Sequence, residues 1–281
     1  MPIRNRSSLL ILTLLLAVRL PLFAQQSEPA TLKAQHQITQ YLAALANIHC
    51  RESVLQQKLD DNNHVQTSDR ASFDYLVMMN GDKDDFQLNE SRIALGKEAH
   101  KPMPLMLTNG FSSLLLVFHP YYSSSFQFGP ATDDTWKGIP AQKITFTQNQ
   151  SPRALAALAL RGREFPMLLQ GTAWMEKGTG RVLQMDASLE NNLKDIGLTG
   201  LAIHVEYTSV HLGDDTLTVP AFAEIDLHTT KQHWRNRHEF QDYKLFGTDA
   251  EQDPNVKVRP APKPDATNTT DSPANKETPK P

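Results

Sequence analysis

Along most of this chain beyond residue 73, apolar side chains recur at every second position, a period that selects pleated strands over helices. Phe73, Tyr75, Val77 and Met79 make one face, Asn80-Gly81-Asp82 supplies turn chemistry, and Phe86, Leu88 and Ile93 resume the pattern, which predicts a β-hairpin. Further strands are predicted over Ser124 to Phe128, Ala141 to Thr147, Met167 to Glu176, Arg181 to Leu189, Leu201 to Leu212, Thr216 to Leu227 and His233 to Leu245. Gly178-Thr179-Gly180 and His228 to Lys231 read as the turns joining neighbours. Ile48 to Lys58, where Cys50 and Val54 alternate with polar residues, reads as a first strand rather than a helix extension. Pro220 has no N–H for a ladder, so its strand must lie at an edge or be bulged there.

Three stretches depart from this period. Ile38, Leu42 and Leu45 share one helical face, which predicts an amphipathic helix from Thr31 to Ala46. Gly110 to Tyr121 is predicted as a short helix stopped by Pro120, and Pro152 to Leu160 as another. About nine strands with few helices and short turns predict a mainly β (α+β) fold. The expected form is a curved, unclosed antiparallel sheet, a half-barrel, whose N-terminal helix and short helices cover the concave face.

The ends of the chain read differently from its middle. Arg4 and Arg6, the apolar run Leu9 to Val18 and the stretch Leu20 to Ala24 have the layout of a secretory signal peptide over residues 1–24. The ten residues of that run, nine of them apolar with Thr13 between, span only ~15 Å of helix, against a hydrocarbon layer of ~30 Å. A periplasmic or secreted protein that does not span the membrane after processing is therefore expected. Residues 28–247 are expected to form a single domain. Residues 251–281 alternate proline with Lys, Asp, Asn and Thr, with no large apolar residue after Val258, and are expected to be a disordered tail.

Removing Arg4, Arg6 and Arg19 leaves 25 basic against 31 acidic residues and moves the formal charge from −3 to −6. That balance argues against nucleic acid and anionic membrane surfaces as partners. Cys50 is the one cysteine, so no intrachain disulfide exists and the fold must rest on its apolar core.

No catalytic constellation is legible. Gly110-Phe111-Ser112-Ser113-Leu114 approaches G-x-S-x-G but ends in leucine, and the metal, redox and nucleotide signatures H-E-x-x-H, C-x-x-C, Walker A and G-x-G-x-x-G are absent. His49 beside Cys50 would point to the opposite face of a strand, leaving Cys50 as a small buried apolar residue. Asp74, Glu90, Asp186, Glu224 and Asp226 offer carboxylates, but nothing selects a pair for acid–base work. His228, His233 and His238 lie near one hairpin, yet five residues along a strand place His233 and His238 on opposite faces, and no metal site is expected. No cofactor is implied, and a non-enzymatic protein is expected.

Leu45-Ala46-Asn47-Ile48-His49-Cys50-Arg51-Glu52, Gly110-Phe111-Ser112-Ser113-Leu114 to Phe118, Gly171-Thr172-Ala173-Trp174-Met175-Glu176 with Gly180-Arg181-Val182-Leu183, and Val205-Glu206-Tyr207 through Phe246 follow a familiar order. In it the chain resembles secreted bacterial proteins of unassigned function similar to the LolA/LolB-type half-barrel lipoprotein carriers. The resemblance implies a long N-terminal helix, an unclosed antiparallel sheet, and an apolar concave face that receives acyl chains.

A periplasmic or envelope carrier or binder of an acylated or other apolar molecule is therefore expected. Tyr75, Val77, Phe86, Phe146 and Trp174 are the expected cavity lining, and Leu114, Leu115 and Phe118, in the run with Leu116 and Val117, the expected lid. Ten buried methylenes at ~0.8 kcal/mol each give about 8 kcal/mol before association costs, so one acyl chain is ligand enough. The competing expectation is an envelope interaction or scaffold protein whose sheet is filled by its own side chains and which binds another envelope protein through an edge or the tail.

Overall fold

The computed structural model describes residues 28–82, 85–96, 110–149, 155–160 and 163–246. The predicted signal peptide and tail lie outside these residues. The chain divides into two compact units, one from Met1–Gln40 with Leu115–Glu190, the other from Tyr41–Leu114 with Asn191–Pro281. Both are mainly antiparallel β, as the alternation predicts.

In the second unit β1 (Ile48–Leu59), β2 (Val65–Asp82), β3 (Asp85–Ala94), β11 (Leu198–Leu212), β12 (Asp215–Thr229) and β13 (His233–Leu245) stand in the order β3-β2-β1-β13-β12-β11. The run does not return on itself. β1 alternates strictly over its first half: Ile48, Cys50, Glu52 and Val54 are buried, while Arg51 and Ser53 are exposed. Phe73, Tyr75 and Val77 are buried as expected, but Met79 is 44% exposed. The hairpin ladder runs through Asn80-Gly81-Asp82 to the pair Asp82↔Asp85, so these three residues belong to the ladder and not to the turn that their chemistry indicated.

In β3 Leu88 is buried as expected, and the departure from expectation is Ile93. Leu88, Glu90 and Arg92 pair with Met79, Val77 and Tyr75, and Ile93 is 56% exposed. Charged side chains take two inward positions of β3 because each finds a buried partner, described below. Pro220 sits at a bulge: Glu206 pairs with Phe222 and Tyr207 with Pro220, which leaves Ala221 unpaired and bends the strand.

The first unit carries β6 (Ile139–Gln148), β9 (Leu169–Glu176) and β10 (Val182–Leu189) in the order β10-β9-β6, extended by β4 (Phe126–Phe128), with β5 (Thr132–Trp136) also on β6. β7 (Ala156–Leu160) and β8 (Arg163–Met167) form a separate two-stranded ribbon. Thus Ala156–Leu160 is a strand, where a helix was expected over Pro152 to Leu160. Ladder bonds to β8 override the helix preference of an Ala/Leu run.

Helix α1 (Ala30–Leu45) confirms the amphipathic prediction, with Ala34, Ile38 and Leu45 buried and Leu42 half-buried. The division between the units falls inside it. The β9–β10 turn lies against its first part: Gly180 has φ +77°, and a Cβ there would meet the backbone of Lys33 and Ala34. The predicted helix over Gly110 to Tyr121 is two pieces, a 3-10 helix Ser113–Phe118 and a one-turn α2 (Pro120–Ser123). Pro120 starts α2 rather than ending the first piece, because a first-turn residue needs no N–H. A second 3-10 turn, Lys194–Ile196, ends at Gly197 with φ +81°.

Candidate functional site

Inward positions of β1, β2, β3 and β13 converge on a polar cluster inside the second unit. Glu52 is fully buried. Arg92 donates to it from both Nε, to Oε2, and Nη2, to Oε1 at 2.8 Å, and His238 Nδ1 lies 2.8 Å from Oε1. Burial pushes the Glu52 carboxyl up, but the bonds from His238 and Arg92 and the guanidinium charge outweigh it and hold the group below its ordinary value. Burial likewise acts to strip the proton from Arg92, and Glu52 reverses that effect, leaving the guanidinium firmly charged.

Burial dominates at His238 and lowers its value. The neutral ring that follows gives Nδ1–H to Glu52 and keeps its lone pair on Nε2, a tautomer assigned from the hydrogen bond. Nε2 is buried without a hydrogen-bond partner among the described residues. Phe111 covers the ring at 4.7 Å between centroids and Phe240 stacks at 6.3 Å. Arg92 lies over the rings of Tyr75 and Phe111 at 5.4 and 5.8 Å.

Glu90 accepts the backbone N–H groups of Gly110, Phe111, Ser112 and Ser113 at 2.8, 3.1, 2.8 and 3.1 Å. It thereby satisfies the free donors at the start of the 3-10 helix. Tyr75 Oη reaches Ser112 Oγ at 3.2 Å, Ser113 Oγ donates to the Leu88 carbonyl at 3.1 Å, and Tyr207 Oη donates to the Phe111 carbonyl at 2.9 Å. Gly110–Ser113 is thus seated in the interior of this unit. Ser112 is fully buried and its hydroxyl meets a tyrosine rather than an imidazole.

Of the expected lining, Tyr75 and Val77 are fully buried in the second unit, where Tyr75 packs edge-on against Phe240 at 5.1 Å. Phe146 is buried in the first unit. Trp174, in the same unit, lies on the face of β9 opposite to buried Ala173 and Met175. Its Nε1 donates to exposed Asp134 at 2.9 Å, with the Lys143 ammonium over its ring at 5.2 Å. The side chain of Phe86 lies outside the described residues. The lid residues Leu114, Leu115 and Phe118 are 3%, 0% and 1% exposed, which is core burial.

A cavity of about 270 Å³ occurs in the first unit, lined by Thr31, Gln35, Phe118, Ser123, Ser124 and Phe128. Phe118 stacks on Phe128 at 5.6 Å there. Among the expected lining and lid residues, only Phe118 contributes to it. Thr31 and Gln35 come from α1 and Ser123 from α2, polar positions that carry no hydrophobic signal in the sequence.

Cys50 is buried in the second unit, and burial pushes its thiol up to about 12, so it is protonated at neutral pH. Outward positions of β12 and β13 form charged cross-strand pairs: Glu224 with Arg237 and Asp226 with Arg235. Asp226, His228 and His233 bring their ligand atoms within 4.8 Å of one another, the one such cluster among the described residues. His238 belongs to the opposite face of β13, as the five-residue spacing required.

No family model matches the chain, and no curated protein does. Solved structures similar to it include a DUF1329 family protein from Desulfovibrio piger, at 8% identity and TM-score 0.42, covering 79% of this chain and 95% of that one. A domain from Vibrio parahaemolyticus described as an outer membrane lipoprotein-sorting protein matches at 10% identity and TM-score 0.40, over 78% and 94%. The Mycobacterium tuberculosis lipoprotein LppX matches at 13% identity and TM-score 0.26, over 77% and 96%.

Proposed function

We propose that this chain is a non-enzymatic binding protein of the cell envelope that holds an acylated or otherwise apolar molecule. The observation that carries the reading is the cavity at Phe118 and Phe128. An aromatic pair and four polar side chains line it, a composition that an amphiphile matches: methylenes against the rings, an ester or headgroup oxygen against hydroxyl and amide groups. At about 270 Å³ it sits at the lower end of small-molecule sites, so it takes one short acyl chain or the end of a longer one.

The negative charge of the chain turns the partner away from nucleic acid. Among the described residues no helix is long and apolar enough to cross a membrane. The leader-like run Leu9 to Ala24 is the basis for placing the protein in the periplasm or outside the cell.

Native mass spectrometry of the protein purified from its own envelope tests the proposal. A co-purifying mass in the lipid or acyl range, lost when Gln35→Trp fills the cavity, is the expected result. An unliganded protein that also fails to bind a fluorescent acyl probe overturns it.

A second reading, a scaffold that binds another envelope protein, is favoured by one observation: the interior of the second unit is filled by its own Tyr75, Phe111 and Phe240 rings and by the Glu52–Arg92–His238 cluster. A protein partner that cross-links in the envelope, with no acyl binding, is the outcome that selects it.

A further inference from the structure

We propose that Asp226, His228 and His233 form a binding site for one divalent transition metal of the zinc, copper or nickel class. The turn between β12 and β13 is tight: Thr229 N–H donates to the Gln232 carbonyl at 2.8 Å, and Thr229 Oγ1 accepts from Lys231 N and Gln232 N at 3.2 and 2.9 Å. It therefore fixes His228 directly opposite His233, their rings 3.8 Å apart between centroids at 25°. Asp226 precedes His228 by two residues and so shares its face.

Each imidazole presents Nε2 to the same oxygen: His228 and His233 both stand 2.7 Å from Asp226 Oδ1. Two nitrogens aimed at one carboxylate oxygen, all three atoms within 4.8 Å, need little movement to surround an ion whose bonds are about 2.0 to 2.2 Å long. Arg235 donates to the other oxygen, Oδ2, from Nε at 2.9 Å and Nη2 at 2.7 Å. That holds the carboxylate from behind and leaves Oδ1 to face the ion.

Access is open on one side. His228 is half-exposed, while Asp226 and His233 are 19% and 10% exposed, so an ion can enter and keep water in its remaining positions. Arg235 offsets the carboxylate charge, which disfavours the hard, oxygen-seeking calcium and magnesium ions. Two imidazoles instead suit nitrogen-seeking metals. The third donor beside His228 and His233 is Asp226, two residues before His228 on β12, and not His238, which belongs to the opposite face of β13.

Isothermal titration of the chelator-stripped full chain with zinc, copper, nickel, calcium and magnesium chlorides at pH 7.5 tests the site. One equivalent of zinc or copper bound, no heat with calcium or magnesium, and affinity lowered roughly 10- to 100-fold in His228→Ala at an unchanged urea midpoint is the expected result. No binding of zinc or copper up to about 1 mM, or undiminished binding in His228→Ala, overturns the proposal. Copper(II) paramagnetic resonance of the unaltered protein gives a readout that needs no variant. Hyperfine coupling from two nitrogens supports the site, and coupling from none or one overturns it.

Discussion

Glu52 and His238 meet at 2.8 Å with neither side chain exposed, although 186 residues separate them in sequence. The contact exists because β13 returns beside β1, with Val54 opposite His238, and because Glu52 and Val54 share the inward phase of their strand. Arg92 completes the group from β3. A buried carboxylate is tolerable only while both partners remain, so the three residues hold or fail together.

Removing one partner should therefore cost far more than removing the pair. Glu52→Gln, which leaves Arg92 buried and uncompensated, is expected to lower stability by about 3–5 kcal/mol, whereas Glu52→Leu combined with Arg92→Met should recover much of that loss. Urea midpoints of the single and double variants are the measurement. A single variant within about 1 kcal/mol of the parent would show that the cluster is hydrated or rearranged.

Acid should loosen this unit in two stages. His238 has a folded value lowered below its ordinary 6.5, so its neutral burial contributes fully above that pH and the contribution fades as pH falls toward the folded value. Glu52, lowered from 4.5, contributes above that pH and its share is lost as pH falls through its own folded value. His119, half-buried in the first unit and lowered by burial alone, acts in the first window in the same sense. Urea midpoints should thus fall on going from pH 7.5 to 5.5, and His238→Phe should flatten that slope by the share His238 supplies. An unchanged slope in His238→Phe would remove His238 from the account.

Glu90 ties four backbone donors of Gly110–Ser113 to β3. Glu90→Ala leaves these groups without an acceptor and should cost about 3 kcal/mol or more. Glu90→Gln, which keeps one carbonyl oxygen, should cost about half as much. Chemical denaturation separates the two variants, and equal losses would mean that packing, not acceptance of the N–H groups, sets the penalty.

Gly171 makes a different test, in the first unit. It pairs with Phe146 on β6 and Ala187 on β10, and a Cβ there would lie 2.6 Å from Phe146 Cζ and closer still to the Asp186 carbonyl. Because the carbonyl is backbone, the clash cannot be relieved by a rotamer change. Gly171→Ala should cost about 1–3 kcal/mol by thermal or urea melting, with a milder loss when Phe146→Leu is added.

The sequence reveals the strands where one face is apolar, and fails where that signal is missing. The strand through Phe73, Tyr75 and Val77 is observed as predicted because these alternate apolar side chains are all buried on one face. β5 escapes because four of its five residues are exposed and nothing in Thr132–Trp136 alternates. The inward phase of Glu52 was legible, since Cys50 and Val54 flank it at the right spacing. Its partners were not, because pairing of β1 with β13 is a long-range choice that no local pattern encodes. Asp226 was readable only as one more strand carboxylate. Its meeting with His228 and His233 depends on the length of the hairpin turn.

The reading of the 3-10 helix as a lid is the remaining contest. Leu115 is fully buried, so Leu115→Asp places an unpaired carboxylate in the core and should cost several kcal/mol, with unfolding as its main effect. Gln35→Trp is the complementary change, because Gln35 lines the cavity, is half-buried and sits in α1, where tryptophan is tolerated at modest cost. If the Phe118–Phe128 cavity holds the ligand, Gln35→Trp should abolish binding of a fluorescent acyl probe while the urea midpoint stays within about 1 kcal/mol of the parent. If probe binding survives Gln35→Trp but is lost in a folded fraction of Leu115→Asp, the ligand lies under the 3-10 helix instead. A parent protein that binds no probe at all leaves the scaffold reading, and the cavity becomes a packing defect of the first unit.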